Sequence, residues 1–241
     1  DLNGDGNIDT DDLLIMIDNW ETDESTCDIG PMPWGDGVVD MKDLIVFVEH
    51  LFPDPIACWK LDEREGTIAY DNIGEHDATV YGEPLWQPEG GMINGALELD
   101  GMDDYISTPF VLSSTKEFSV FAWIKGGAPG QVIISQENGV NWLSSDTDGT
   151  LRTDLRTPEK SNPRGSTPAG PPLICSTVVT DGDWHRVGFV WYGSYRTLYV
   201  DDVEVAKDQD VQSNLAFTLG GLYLGAGSNL EAGTFWSGLI D

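Results

Sequence analysis

The chain has 241 residues, with 42 Asp and Glu against 12 Lys and Arg, for a formal net charge of −30. That balance excludes nucleic-acid binding through phosphate contacts, which need Lys and Arg. No apolar run is long enough to span a bilayer.

The first predicted element is a loop. Residues 1–12 read Asp-Leu-Asn-Gly-Asp-Gly-Asn-Ile-Asp-Thr-Asp-Asp. They set oxygen ligands at Asp1, Asn3, Asp5, Asp9 and Asp12, with the backbone carbonyl of Asn7 as a further donor and Gly6 at the sharp bend. Ca²⁺ takes six to eight hard oxygens, and a short loop collects them with this spacing. Ile8 is expected to point away from the ion and pair with a sister loop. Asp12 stands where an ordinary EF-hand has a longer Glu.

A related pattern recurs at Asp36-Gly37-Val38-Val39-Asp40-Met41-Lys42-Asp43. In register it offers Asp36, the Val38 carbonyl, Asp40 and Asp43. Met32 and Trp34 then fall on the first and third ligand positions and cannot serve. Asp28 lies four residues further back, so 28–43 reads as an expanded loop with Pro31–Trp34 as the insert and Asp28 as first ligand. Each loop runs into an apolar stretch predicted as a helix, Leu13–Ile17 and Leu44–Val48. Residues 1–55 hold 15 acids and one base, Lys42, a density that calcium would partly neutralise.

Pro53 and Pro55 stop the second helix, so a boundary is expected at 54–55. Beyond it, short runs rich in Val, Ile, Tyr, Trp and Phe alternate with Gly, Asp, Asn and Pro turns. Ile56–Leu61, Ala96–Leu99, Tyr105–Thr108, Phe118–Lys125, Gln131–Gln136, Trp142–Ser145, Leu151–Arg156, Trp184–Tyr192, Arg196–Val200 and Gly221–Gly225 are predicted strands. Tyr192–Tyr195 and Asp201-Asp202 are predicted hairpin turns. The proline-rich stretch Glu159–Pro172 is expected to be a long surface loop. Many short antiparallel strands at this spacing indicate a β-sandwich or jelly roll.

Three cysteines form no Cys-x-x-Cys, and His50, His76 and His185 show no zinc-ligand spacing. Cys27 and Cys58 flank the second loop–helix repeat and could bridge, or the cysteines could serve as small buried hydrophobes. Glu98 and Asp100 share one face of a strand, but Leu97 and Leu99 hold the other, and Asp103 falls on a turn. That reads as a half-buried strand, not a glycosidase acid pair. His185 near Asp181 and Asp183 lacks a Gly-x-Ser-x-Gly elbow and is expected to anchor a strand. Asp100, Asp103 and Asp104 on one turn, with Glu137 and Asn138 on another, are candidate calcium ligands at a sandwich rim. Trp34, Trp86, Trp142 and Trp236 lie near loops and are candidates for stacking on sugars.

Two loop–helix units closed by Asp resemble a type I dockerin over residues 1–53. The resemblance implies a small all-α calcium-binding module that docks onto a cohesin. Its contacts would come from Thr10 and Asp11 in the first repeat and Met41 and Lys42 in the second. Residues 56–241 resemble the LamG-like, concanavalin A-like jelly-roll family. The phrases that carry this run in order: Cys58–Glu63 with Gly66–Asp71, Gly95–Ile106, Phe118–Lys125, Asp181–Val187 with Leu198–Asp201, and Gly238–Asp241. The family usually continues past the last phrase, so the domain is expected to be C-terminally truncated. Because the chain opens on a ligand and not on Met, it is expected to be a processed protein or a fragment. Together these imply a secreted or cell-surface binding protein without catalytic residues, using Ca²⁺ and recognising a glycan or a cell-surface protein. The alternatives are a calcium-stiffened spacer beside an adhesion domain, and a glucanase-type glycoside hydrolase.

Overall fold

The structure is a computed structural model that describes residues 1–4, 8, 10–30, 35–51, 55–109, 118–155, 160–162, 165–167, 171–192, 195–209 and 220–241. The chain divides into two compact units, Asp1–Pro55 and Ile56–Asp241.

The first unit holds helix α1, Thr10–Asp18, and helix α2, Met41–Leu51. Helix α2 starts where it does because Asp40 and Asp43 cap it reciprocally. Asp40 Oδ1 accepts the Lys42 N–H at 2.7 Å, and Asp43 Oδ2 accepts the Asp40 N–H at 2.7 Å. Asp11 and Asp12 place negative charge in the first turn of α1, where the helix dipole favours it. The apolar faces meet over Met16, Cys27, Val39 and Phe47, all buried, and Ile8 packs against this core. The backbone of Val39 pairs with Thr22 and Glu21.

The second unit is an antiparallel β-sandwich. Its strands in chain order are β1 Ile68–Ala69, β2 Ala78–Tyr81, β3 Leu85–Gln87, β4 Ala96–Asp100, β5 Tyr105–Ser107 and β6 Phe118–Gly126. Then come β7 Val132–Gln136, β8 Asn141–Ser145, β9 Thr150–Thr153, β10 Lys160–Asn162, β11 Gly165–Thr167 and β12 Leu173–Val178. The last are β13 Trp184–Tyr192, β14 Tyr195–Val200, β15 Val203–Gln209, β16 Leu222–Leu224 and β17 Ser237–Ile240. Among the described residues, one sheet has eight strands in the order β1-β2-β5-β16-β7-β8-β9-β12, and the other seven in the order β15-β14-β13-β6-β17-β4-β3. Ile106, Ile134 and Leu224 from the first sheet and Ile124, Phe189, Leu198 and Ile240 from the second lie in one buried cluster, which fills the sandwich.

Three expectations are corrected. Ile56–Leu61 is not a strand; its pairing is a single bridge between Trp59 and Asp71. The buried Asp71 carboxylate accepts the Cys58, Ile73 and His76 backbone N–H groups, so a side chain takes the donor that a ladder would have used. Glu159–Pro172 is not simply a loop, because β10 and β11 pair within it as a small antiparallel ribbon. Cys27, Cys58 and Cys175 are all free thiols, Cys27 and Cys175 buried. The Asp201-Asp202 turn forms as expected: both residues have positive φ, 52° and 64°, the geometry of a two-residue turn joining β14 to β15.

Candidate functional site

The two loop–helix repeats of the first unit place their closing acids alike. Asp12 and Asp43 are both fully buried and both lie in the first turn of their helix. Asp12 Oδ1 accepts the N–H groups of Leu2 at 2.6 Å and Asn3 at 2.9 Å. Asp43 Oδ1 accepts those of Ile29 at 2.6 Å and Gly30 at 2.7 Å. Leu2-Asn3 therefore corresponds to Ile29-Gly30, and Asp1 to Asp28. Gly30 fits because its α-carbon lies against the start of α2, where a Cβ would sit 2.6 Å from the Lys42 carbonyl oxygen.

Asp28 folds back over the second loop, with Oδ1 taking the Asp36 N–H at 2.9 Å and Oδ2 the Gly37 N–H at 2.7 Å. Asp1 Oδ1 takes the Gly4 N–H at 2.6 Å. Lys42 forms ion pairs with Asp36 and Asp40. The Asp36 carboxyl is held below its usual range chiefly by the Lys42 hydrogen bond. Asp5, Gly6, Asn7, Asp9 and Pro31–Trp34 lie outside the described residues. Chemically the donors, all carboxylate, amide or carbonyl oxygens, suit calcium. Here the carboxylates bind backbone N–H groups, and among the described residues Asp28, Asp36, Asp40 and Asp43 do not converge as a metal-sized group. Thr10, Asp11, Met41 and Lys42 are exposed. So are Leu14 and Ile17 on α1 and Ile45 and Val48 on α2, the same positions of the two repeats.

In the sandwich, Asp100, Asp103 and Asp104 do come together on the β4–β5 turn, with ligand oxygens within 4.8 Å of one another. Asp104 is buried. Burial pushes its carboxyl up, and the N–H groups of Asp100 and Glu83 partly offset this. Glu137 lies near Tyr223, whose hydroxyl pKa is raised by burial and then by the Glu137 charge. Asn138 occupies a left-handed turn position at φ 54°. Glu98 accepts from Gln87 at 2.6 Å, and Asp100 accepts the N–H groups of Met102 and Asp103. His185 sits between Asp201 at 2.9 Å and Asp181 at 3.1 Å. Burial pushes its pKa down, but the two carboxylates outweigh that and raise it overall.

Trp142 and Trp236 cannot stack on sugars, because both are fully inside the core. The Trp86 indole N–H donates to the Gly66 carbonyl and its ring packs on the core. Trp34 lies outside the described residues. Trp142 and Trp236 misled because proximity to a turn in sequence does not expose a ring. What the sequence reading missed is a row of tyrosines. Tyr81 on β2, Tyr105 on β5 and Tyr223 on β16 share one face of the eight-stranded sheet, since Tyr81 pairs with Tyr105 and Tyr223 with Ser107. The alternation in Ala78-Thr79-Val80-Tyr81, buried at Ala78 and Val80 and exposed at Thr79 and Tyr81, was the signal. A shallow polar cleft lined by Asn141, Gly227, Ser228, Asn229, Glu231 and Thr234 holds about 40 Å³, too little for a sugar ring.

Two antiparallel sheets of eight and seven strands over one core define a jelly-roll sandwich of the concanavalin A-like class. A family model described as the concanavalin A-like lectin/glucanases superfamily matches residues 100–241, and the chain belongs to that superfamily. No curated protein matches the chain. Among solved structures, domain 4 of AbnA, an extracellular GH43 arabinanase of Geobacillus stearothermophilus in complex with arabinotriose, is 19% identical with a TM-score of 0.49, over 77% of this chain and 88% of that domain. The binding domain of Paraclostridial Mosquitocidal Protein 1 is 12% identical with a TM-score of 0.53, over 76% of this chain and 48% of its own. Trypanosoma rangeli sialidase is 13% identical with a TM-score of 0.48, over 74% of this chain and 28% of its own. The likeness to the mosquitocidal-protein domain is one of fold. Among the described residues, no helix is long and apolar enough to cross a membrane.

Proposed function

We propose that the chain is a non-catalytic extracellular binding protein, secreted or at the cell surface. In this reading the first unit is a calcium-dependent docking module of the dockerin kind. The second recognises a carbohydrate or a protein. The observation that carries the docking half is the equivalence of the repeats. Asp12 and Asp43, both buried, close their loops with the same pair of bonds, and Leu14 with Ile17 recurs as Ile45 with Val48 on the exposed face. Calcium bound by Asp1, Asn3, Asp5, Asn7, Asp9 and Asp12, and by Asp28, Asp36, Val38, Asp40 and Asp43, would neutralise the crowded acids and hold both helices for a partner. Thr10, Asp11, Met41 and Lys42 flank that surface. A cohesin-type partner fits an exposed apolar stripe with polar neighbours.

The test is a pull-down of the intact chain on immobilised cohesin in calcium and in EDTA. Capture in calcium that is lost in EDTA supports docking. Equal capture in both, or none in calcium, removes it. Incubating the chain with neutral polysaccharides and assaying released reducing sugar tests the non-catalytic half, and release would overturn it.

A further inference from the structure

Exposed aromatic rings stand on both outer sheet faces, and their surroundings differ. On the seven-stranded sheet the Arg186 guanidinium lies 4.8 Å above the Phe121 ring, and Lys207 Nζ lies 5.1 Å from that of Tyr195. Those rings already carry a cation. On the eight-stranded sheet, the Tyr81 and Tyr105 rings stack at 4.8 Å and 9°. Tyr223 meets Tyr105 edge-on at 5.3 Å and 74°, and the buried Phe235 backs Tyr105 at 6.3 Å. Tyr81 remains 45% exposed although Tyr105 covers one of its faces. At the other end of the row, the Glu137 carboxylate lies near Tyr223, whose hydroxyl pKa is raised by burial and then by that charge.

We infer that this tyrosine row is a binding platform for a neutral oligosaccharide, with the open face of Tyr81 stacking on a sugar ring and the Glu137 carboxylate accepting hydroxyl donors. The inference rests on the reading of the second unit as a recognition module and gives it a ligand class and a place. Three features carry it. The rings are fixed in advance: Tyr81 is held by Tyr105, and Tyr105 by Tyr223 and Phe235, so little ordering entropy is lost on binding. The polar end is an acceptor. An ionised carboxylate accepts hydrogen bonds and cannot donate them, which suits a ligand rich in O–H groups. The charge is wrong for an anionic glycan, because Glu137 sits in the site and the chain carries a net charge of −30.

The experiment is native affinity electrophoresis of the intact chain in gels cast with galactomannan, xylan, arabinan or mixed-linkage β-glucan, with polygalacturonate as the anionic control. Isothermal titration follows with oligosaccharides cut from the polymer that retards. At least one neutral polymer is expected to retard the chain, and polygalacturonate is not. Tyr81→Ala should weaken binding about tenfold, the scale of one ring-face contact. Tyr81→Phe, which keeps the ring, should stay within about twofold, and both variants should melt like the parent. Retardation of the parent with Tyr81→Ala unchanged would overturn the platform and leave glycan recognition standing elsewhere on the unit. No retardation by any neutral polymer, or by polygalacturonate alone, would overturn the ligand class itself.

Discussion

Arg196 is a deeply buried charge in the sandwich, and removing its counter-ion should cost more than removing Arg196. Its side chain is 1% exposed, and that of Asp208 32%. Nε donates to Asp208 Oδ1 at 2.9 Å and Nη2 to Oδ2, while Nη1 reaches the Leu155 carbonyl at 2.6 Å and Nη2 the Pro171 carbonyl at 3.1 Å. The guanidinium thus rivets β14 and β15 of one sheet to the ends of β9 and β12 of the other. Asp208→Ala leaves a buried cation without a counter-ion, which costs about 3–5 kcal/mol. Arg196→Met removes the charge and fills much of the same volume. Asp208 then turns to water, and two carbonyls lose one donor each, for roughly 1–3 kcal/mol. The double variant should match Arg196→Met, because the second substitution removes a carboxylate with nothing left to neutralise. Urea denaturation followed by tryptophan fluorescence reads this directly, since Trp142, Trp191 and Trp236 lie in the core. A larger loss for Arg196→Met than for Asp208→Ala would refute the argument, and would mean that hydrogen bonds to the carbonyls outweigh the unpaired charge.

Calcium titration of the intact chain by calorimetry should show two ions in the first unit. Asp28→Ala should remove one and spare the other, and a parent stoichiometry of one would show that the second repeat keeps its helix without metal. His185 has a raised folded pKa, so its contribution is full below about pH 6.5 and fades as pH rises through the folded value. The melting difference between the parent and His185→Asn should therefore be larger at pH 6 than at pH 9, and the opposite trend would contradict the pairing with Asp181 and Asp201. Gly127→Ala should destabilise the sandwich by roughly 2–4 kcal/mol, from overpacking and a left-handed backbone. Its Cβ would sit 2.3 Å from the buried Trp236 ring at φ +77°, and an unchanged urea midpoint would count against that packing.

Long strands rich in β-branched and aromatic residues were legible in the sequence. Trp184–Tyr192 is a strand with the predicted bounds, and Phe118–Lys125 extends by one residue to Gly126. Both lie in the interior of the seven-stranded sheet, where Val187, Phe189 and Trp191 are buried in the core. Edge elements were not legible. Val203–Gln209 carries charge along an outer strand, where water satisfies one side and the apolar pattern weakens. Ile56–Leu61 has the composition of a strand but surrenders the Cys58 donor to the Asp71 carboxylate, a capture that composition does not reveal. The tyrosine row was out of reach for a different reason. Its members come from three strands far apart in the chain, and only the order β2-β5-β16 makes them neighbours.

The placement of β17 bears on how the sandwich is assembled in time. It lies between β6 and β4, and the Ile93 N–H reaches the Asp241 carboxylate across 148 positions. Neither sheet can be completed from local pieces: the eight-stranded one waits for β16 to join β5 to β7, and the seven-stranded one for β17. Closure entropy for these long loops is spent before the contacts repay it, which puts folding in the slow, millisecond-to-second class of β-rich domains. Until then β4 and β6 present open edges, so chain concentration and chaperone capacity, more than final stability, set how much of this unit is recovered on expression.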